Sequence, residues 1–392
     1  MTLISIIVPT TRPDNRSLET IFRFEVPIGY ELEFLFIIDD PNKNLSELLN
    51  IIKKNQKFSI RIIKNAKNIG TSASRNKGIE DSLGDYILFI DDDCIVKSNL
   101  LLEYIKALEI YPNYPGYIGV TNTPQPNSSF EHAIELSDML HFFKIAKLKE
   151  EFYWGITANL FIKREAIGDI RFPLEYPKKG GGEDIHFCLK IIESYFKNSK
   201  EISQKAKNLK FKCVPTAEII HPFWKENVKN YIRYYRWGYG DVLLHKKFPQ
   251  YCFHQYPNYL EYLFFLTCIS ILITFIFLPL INLSLSLFQL IGILMFNYSF
   301  MTIWEIFCES IKLKSQNRRF SSKAILKAVL IRQLNDAGRF IHQFPKIWKF
   351  TNRWDYFCSG ESIKYERINA LKKLSGFIVI TFFSIIIMIV LS

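Results

Sequence analysis

The chain has 392 residues, with 50 Lys and Arg against 38 Asp and Glu, and a formal net charge of +12. That length holds one substantial α/β domain plus accessory structure. Seven cysteines without a CxxC pair argue against a disulfide framework or a zinc site, and most of them read as ordinary buried thiols.

The basic excess is uneven. Trp224 to Phe248 has six Lys or Arg against two acids, and Glu305 to Lys373 has fifteen against six. Both stretches flank apolar segments, so lipid headgroups and lipid phosphate are favoured over nucleic acid as partners. Nucleic-acid binding would explain the charge, but neither the carboxylate clusters nor the uncharged stretch described below.

In chain order, Leu3 to Val8 is an apolar first strand stopped by Pro9. It starts at once, without the charged region and cleavage pattern of a signal peptide, so the amino-terminal domain is expected in the cytoplasm. Glu33 to Ile38 is a second strand ending in Asp39-Asp40-Pro41, Leu45 to Lys54 a helix, and Ser59 to Ile63 a third strand. Gly70-Thr71-Ser72 opens a helix from about Ala73 to Asp81, with Ser or Thr as the expected cap. Gly84-Asp85 turns into Tyr86 to Ile90, which ends at Asp91-Asp92-Asp93. This alternation predicts an α/β fold with a mostly parallel sheet and polar clusters at strand ends, where such sheets bind nucleotides.

Tyr111 to Gln125 reads as loop around a short strand at Gly116 to Val120, and Trp154 to Ile162 as a piece lining the site. Arg171 to Gly182, with two prolines and three consecutive glycines, is a mobile-loop candidate. Asp184 to Tyr195 is a helix, and Asn198 to Asn208 an exposed connection.

From Tyr262 to Trp304 there are 43 residues without a charged side chain. A bilayer core takes about 20 residues of helix, so the run suits two spans joined near Pro279 to Asn282. Tyr256, Tyr259, Tyr262 and Trp304 fit interfacial aromatics. Phe377 to Leu391 is a shorter third candidate, a span or a membrane-docked helix. A hairpin returns the basic region from Glu305 to Lys373 to the cytoplasmic side, in agreement with the positive-inside rule.

Three acids in a row repel one another and need a cation or donor partners. A divalent metal holding a diphosphate would supply the charge. Arg75, near a helix start, pairs with phosphate or locks the acidic loop. Glu183-Asp184 forms a second acidic site. His221 is a metal or diphosphate candidate. Arg233 and Arg236, three apart, face alike on a helix; with Trp224 and Trp237 they suit diphosphate binding or an interfacial helix.

Several pieces together carry a resemblance: Ile6-Ile7-Val8-Pro9-Thr10; Ile38-Asp39-Asp40; Asn68-Ile69-Gly70 with Ala73 to Gly78; Asp91-Asp92-Asp93; and Gly182-Glu183-Asp184. In this order and spacing, residues 3 to 240 resemble a membrane-attached family 2 glycosyltransferase of the GT-A fold. His221 to Trp224 and Arg233 to Gly238 also resemble elements of its membrane-attached members.

The resemblance implies that Asp39 contacts the nucleotide base, with Pro9 and Thr10 shaping the adjacent loop. It implies that Asp93 contacts Mg2+ or Mn2+, while Asp91 binds ribose or a metal-bound water. Asp184 becomes the catalytic base, its ionised form favoured by the helix amino terminus, and Glu183 orients the acceptor or caps the helix. The organisation expected is a GT-A domain at 1–250, an interfacial segment and transmembrane hairpin at 251–304, a basic cytoplasmic-side segment at 305–375, and a short membrane helix at 376–392.

The implied activity is inverting transfer of a sugar from a nucleotide-diphosphate sugar to a hydroxyl of a lipid-linked or membrane-proximal glycan. It would take place at the cytoplasmic face of a multi-pass cell-membrane protein, in building cell-envelope or secreted polysaccharide. Alternatives are transfer directly to polyprenyl phosphate, which has less need of a base, and a non-catalytic membrane scaffold on the same fold. A processive synthase is disfavoured because two or three spans line little channel.

Overall fold

The amino-terminal apolar run forms β1 (Thr2–Thr10), with Ile4, Ile6, Ile7 and Val8 all fully buried. Burial on both faces is the signature of a central parallel strand. The computed structural model describes residues 1–13, 17–198, 210–254, 257–281, 287–343, 352–362 and 371–382. They fall into two units: Met1–Pro126 with Met139–Lys225, and Asn127–Asp138 with Glu226–Ser392. By contacts the first unit closes at Lys225, and Glu226 to Gln250 fall in the second.

The first unit holds a nine-stranded sheet. After β1 come β2 (Tyr30–Ile38), β3 (Ser59–Lys64), β4 (Tyr86–Ile90), β5 (Ile95–Val96), β6 (Gly116–Asn122), β7 (Glu151–Phe152), β8 (Asn159–Lys163) and β9 (Phe211–Ile220). The spatial order is β3-β2-β1-β4-β8-β6-β9-β5, with β7 on β9. β1, β2, β3, β4, β6 and β9 share one direction, and β5, β7 and β8 run against it. The α/β class with a mostly parallel central sheet is therefore as expected.

Register positions the site. Thr10 pairs with Ile38 and Ile7 with Phe89, so β1, β2 and β4 deliver Thr10, Asp39 and Asp91 to one edge of the sheet. β5 pairs antiparallel with β9, Ile95 opposite Ile220. The residues just before β5 therefore lie beside those just after β9, which brings Asp93 and Cys94 to His221.

The helix Thr71–Asp81 packs on β1 because Gly78 lacks a side chain: a Cβ there would sit 2.4 Å from Ile7 Cγ2. Its cap differs from the expected Ser or Thr. Gly70 is the N-cap, at φ 91°, with no side-chain capping bond. Only glycine adopts that conformation readily, and the Thr71 amide instead donates to the Lys178 carbonyl at 3.1 Å. The second acidic helix starts one residue earlier than expected, at Glu183, and runs to Asn198. All seven cysteines are free.

In the second unit, the helices Val228–Lys247 and Ser322–Gln343 cross closely at glycines. A Cβ on Gly238 would meet the Asn335 carbonyl oxygen at 1.9 Å, and one on Gly338 the Tyr235 oxygen at 2.0 Å. Arg353 and Glu261 form a fully buried pair at 2.7 Å, and Cys252–His254 pairs antiparallel with Asn352–Trp354. The helices Tyr259–Ile281 and Leu287–Ser315 carry the uncharged run.

Among the described residues, one helical stretch, Ile291–Ser315, is long and apolar enough to cross a membrane. It has 25 residues, a mean hydropathy of 1.4, and 11% of its most apolar window buried. Tyr259–Leu272 is a shorter apolar helix. The far end of the expected hairpin turn, the 198–208 connection apart from its first residue, Tyr256, and the last apolar segment beyond 382 lie outside the described residues.

The Gly78 contact generates a stability prediction. Gly78→Ala overpacks a fully buried isoleucine and is expected to destabilise the protein by about 1–3 kcal/mol, read as a lower urea midpoint; an unchanged midpoint would mean that the helix does not press on β1 there.

Candidate active site

Asp39, at the end of β2, is 4% exposed and heavily engaged. Its Oδ1 accepts from Asn65 Nδ2 at 2.9 Å and from the Ile69 amide at 2.8 Å, and its Oδ2 from the Gly70 amide at 2.9 Å. Asn68 Nδ2 donates to its carbonyl at 2.9 Å. The Asn68-Ile69-Gly70 segment thus wraps Asp39 and sets the start of the helix Thr71–Asp81. A carboxylate has about four lone-pair sites, so this arrangement leaves one for a further donor.

The acidic triplet is divided among different partners. Asp92 points inward: Thr10 Oγ1 donates to its Oδ2 at 2.5 Å, and Arg12 pairs with both its oxygens. Burial raises the Asp92 pKa, with Arg12 and Thr10 opposing. Partial burial works to lower the pKa of Arg12, but the Asp92 and Asp93 charges outweigh it and hold the guanidinium protonated. Asp91 is the most open of the three, with a 29% exposed side chain, and its Oδ1 accepts from Arg75 Nη2 at 3.0 Å.

Arg75, 4% exposed, also places Nη1 3.4 Å from Glu183 Oε1, so one buried guanidinium joins the strand-end acids to the second acidic pair. It lies over the Phe172 ring, 5.6 Å from the centroid. The approach to Glu183 is tied down on the same side: Asn76 exchanges hydrogen bonds with the Phe172 backbone at 2.8 and 2.7 Å. Gly180, Gly181 and Gly182 all have positive φ, and the Gly181 amide donates to Glu183 Oε2 at 2.8 Å. Glu183 is thereby committed to the loop and to Arg75.

Asp184 is half-buried and accepts from the Ile185 amide at 2.9 Å. Here the expected electrostatics are corrected. The helix amino terminus should favour the carboxylate, yet burial first and the Glu183 charge second push the Asp184 pKa up to about 7. Desolvation and a like charge outweigh the helix dipole and Arg75.

Asp93, 7% exposed, has Oδ2 3.0 Å from Arg12 Nη2 and Oδ1 3.5 Å from His221 Nε2. His221 Nδ1 lies 2.7 Å from the Pro222 carbonyl oxygen. A carbonyl only accepts, so Nδ1 carries the proton and, in the neutral ring, Nε2 presents its lone pair to Asp93. Two acceptors then face each other, and Asp93 Oδ1 is buried with no hydrogen-bond donor. A divalent cation resolves that conflict. Cys94 Sγ completes a set whose ligand atoms lie within 4.8 Å of one another, although the Cys94 thiol is fully buried and burial raises its pKa well above normal.

The first unit thus brings together Pro9, Thr10, Asp39, Arg75, Asp91, Asp93, Glu183, Asp184 and His221. Arg233, Arg236 and Trp237 lie in the second unit on Val228–Lys247, where Arg236 Nη2 donates to the Lys229 carbonyl at 3.3 Å. Sequence reasoning missed Arg12, Asn65 and Asn76. Arg12 had a legible signal, a cation two residues past a strand that ends at the site; Asn65 had none, and Asn76 lay inside the Ala73–Gly78 motif without being given a role.

The strand ends of an α/β sheet, where these buried acids converge, are the usual place for a ligand in such folds. Residues 5–171 match the family model described as glycosyl transferase family 2. The chain therefore carries a family 2 glycosyltransferase domain.

It is 33% identical over 110 residues to an uncharacterised glycosyltransferase of Methanocaldococcus jannaschii, covering 27% of this chain and 37% of the relative. It is 26% identical over 148 residues to the minor teichoic acid biosynthesis protein GgaB of Bacillus subtilis, covering 37% and 16%. The matches span less than two thirds of the curated relatives' own lengths, 62% at most. Among solved structures it is similar to the mannosyltransferase PcManGT from Pyrobaculum calidifontis in complex with GDP-Man and Mn2+. The identity there is 12%, with 88% of this chain and 87% of that chain covered and a TM-score of 0.47.

Removing the shared guanidinium tests the geometry. Arg75→Ala leaves Glu183 buried without its cation and is expected to cost about 3–5 kcal/mol of stability, measured by denaturant unfolding. A loss under about 1 kcal/mol, the range of exposed pairs, would contradict a buried bridge.

Proposed function

We propose that this chain transfers a sugar, with inversion, from a nucleotide-diphosphate sugar to a hydroxyl of a lipid-linked or membrane-proximal glycan. The observation that carries the reading is Arg75 joining Asp91 and Glu183, because it holds the donor-side acids and the Glu183-Asp184 pair around one guanidinium. Asp93 and His221 would hold Mg2+ or Mn2+, which when bound would supply positive charge to the departing diphosphate. Asp39 offers its remaining lone pair to the base, and the open Asp91 faces the ribose.

Asp184 takes the proton from the acceptor hydroxyl. The hydroxyl oxygen bonds to the anomeric carbon from the face opposite the nucleotide, as the bond from that carbon to the phosphate oxygen breaks. The electron pair leaves on the nucleoside diphosphate. A carboxyl with a pKa of about 7 is matched to this work near neutrality, whereas an ordinary carboxylate is a weaker base. Glu183, already bonded to Gly181 and Arg75, fixes the loop by which the acceptor enters.

The apolar helix Ile291–Ser315 supports attachment to the cell membrane. Lys312, Lys314, Arg318 and Arg319 follow its apolar part, which supports a cytoplasmic placement of that end; a hairpin with the preceding helix Tyr259–Ile281 would put the transferase domain on the same face. Similarity to GgaB supports a role in cell-envelope polymer synthesis.

Two experiments test this reading. Membranes containing the protein, incubated with a panel of nucleotide sugars and divalent metal, are expected to yield labelled lipid-linked product. Asp93→Asn should remove it and weaken Mn2+ binding about 10–100-fold; full activity in the presence of a chelator would sink the metal role.

The second experiment is a pH profile. Because Asp184 is protonated below its raised pKa, kcat/KM should fall with decreasing pH below about 7, about tenfold per unit, and level off above it. Asp184→Asn should lower turnover about 10²–10⁴-fold. Substantial retained activity in that variant would point to an acceptor phosphate, already anionic, in place of a hydroxyl.

A further inference from the structure

Arg12 has an unusual position among the charged groups of the site. Its Nη2 contacts Asp92 Oδ1 and lies 3.0 Å from Asp93 Oδ2, and its Nε is 3.3 Å from Asp92 Oδ2. The two acids are buried, but the Arg12 side chain is 50% exposed. Its backbone is fixed, since its amide donates to Thr10 Oγ1 at 2.8 Å. Arg75, the other guanidinium here, is 4% exposed and locked between Asp91 and Glu183. Arg12 is thus the cation of this cluster whose side chain can move without uncovering the core.

Its partner Asp93 is the carboxylate whose other oxygen faces His221 without a donor. A guanidinium at hydrogen-bond distance opposes a divalent cation on the same carboxylate, because like charges this close repel through poorly screened surroundings. The same guanidinium presents a planar fork of N–H donors that suits phosphate oxygens.

We propose, on the metal and donor roles given above, that Arg12 is a tethered cation that changes partners. Without nucleotide it neutralises Asp92 and Asp93. When metal and donor enter, it turns from Asp93 to the diphosphate. Metal and nucleoside diphosphate then bind as a pair, each weak alone, and Arg12 is a positioning residue for the donor.

The test is Mn2+ binding to the full-length protein, followed by the electron paramagnetic resonance of free Mn2+, with and without UDP or GDP. It compares the natural protein with Arg12→Ala and Arg12→Lys. Removing the competing cation should tighten binding of Mn2+ alone about tenfold, within the range by which neighbouring groups tune metal affinity. It should also weaken UDP or GDP binding in the presence of Mn2+, with Arg12→Lys intermediate in both.

An arginine serving structure alone would weaken Mn2+ binding under both conditions or leave it unchanged. Either result in Arg12→Ala, with circular dichroism showing an intact fold, overturns the proposal. Absence of Mn2+ binding by the natural protein even with both nucleotides is a separate outcome. It removes the metal role itself, and this inference with it.

Discussion

The site depends on one buried cation. Arg75 sits on a helix that glycine lets lie against β1, and it reaches Asp91 at a strand end and Glu183 at a helix start. A guanidinium removed from water is tolerated only with partners, and acids gathered without a cation repel. Each side therefore requires the other. The constraint extends outward through Asn76 to the Phe172 backbone and through Gly70–Thr71 to Lys178, so that the glycine-rich approach is tied to the same helix.

Around that bridge the carboxylates are differentiated by what they touch. Asp92, bonded to Thr10 and Arg12, holds the end of β1 to the acidic turn. Asp39 organises the loop before the helix. Asp93 keeps one buried oxygen without a donor, 3.5 Å from His221 Nε2. Asp184 is left without a cation of its own beside a like charge, and so acquires the basicity its proposed role requires. Four chemically identical groups diverge through burial and neighbours alone.

The second unit solves a different problem. Val228–Lys247 and Ser322–Gln343 approach backbone to backbone at Gly238 and Gly338, and the buried Arg353–Glu261 pair ties the start of an apolar helix to the strand Asn352–Trp354. Beyond these, Phe275, Ile276, Met295, Phe296, Ile303 and Phe307 remain exposed. So much exposed large apolar surface is the pattern of a protein or membrane interaction surface.

The sequence by itself determined the alternation of strands and helices and the location of acids at strand ends. Both follow from local periodicity and from the rule that open α/β sheets bind at their carboxyl edge. Gly182-Glu183-Asp184 was readable in the same way, as acids opening an amphipathic run after glycines. What only tertiary structure decided was which acid does what. The β5–β9 pairing that carries Asp93 to His221 spans well over a hundred residues, and Arg12 reaches Asp92 across 80; the reversal of the helix-dipole expectation at Asp184 comes from burial in the folded chain, to which the neighbouring Glu183 adds a like charge. Local pattern encodes backbone geometry, whereas the pKa and partner of a buried charge are set by whatever folding brings within a few ångströms of it.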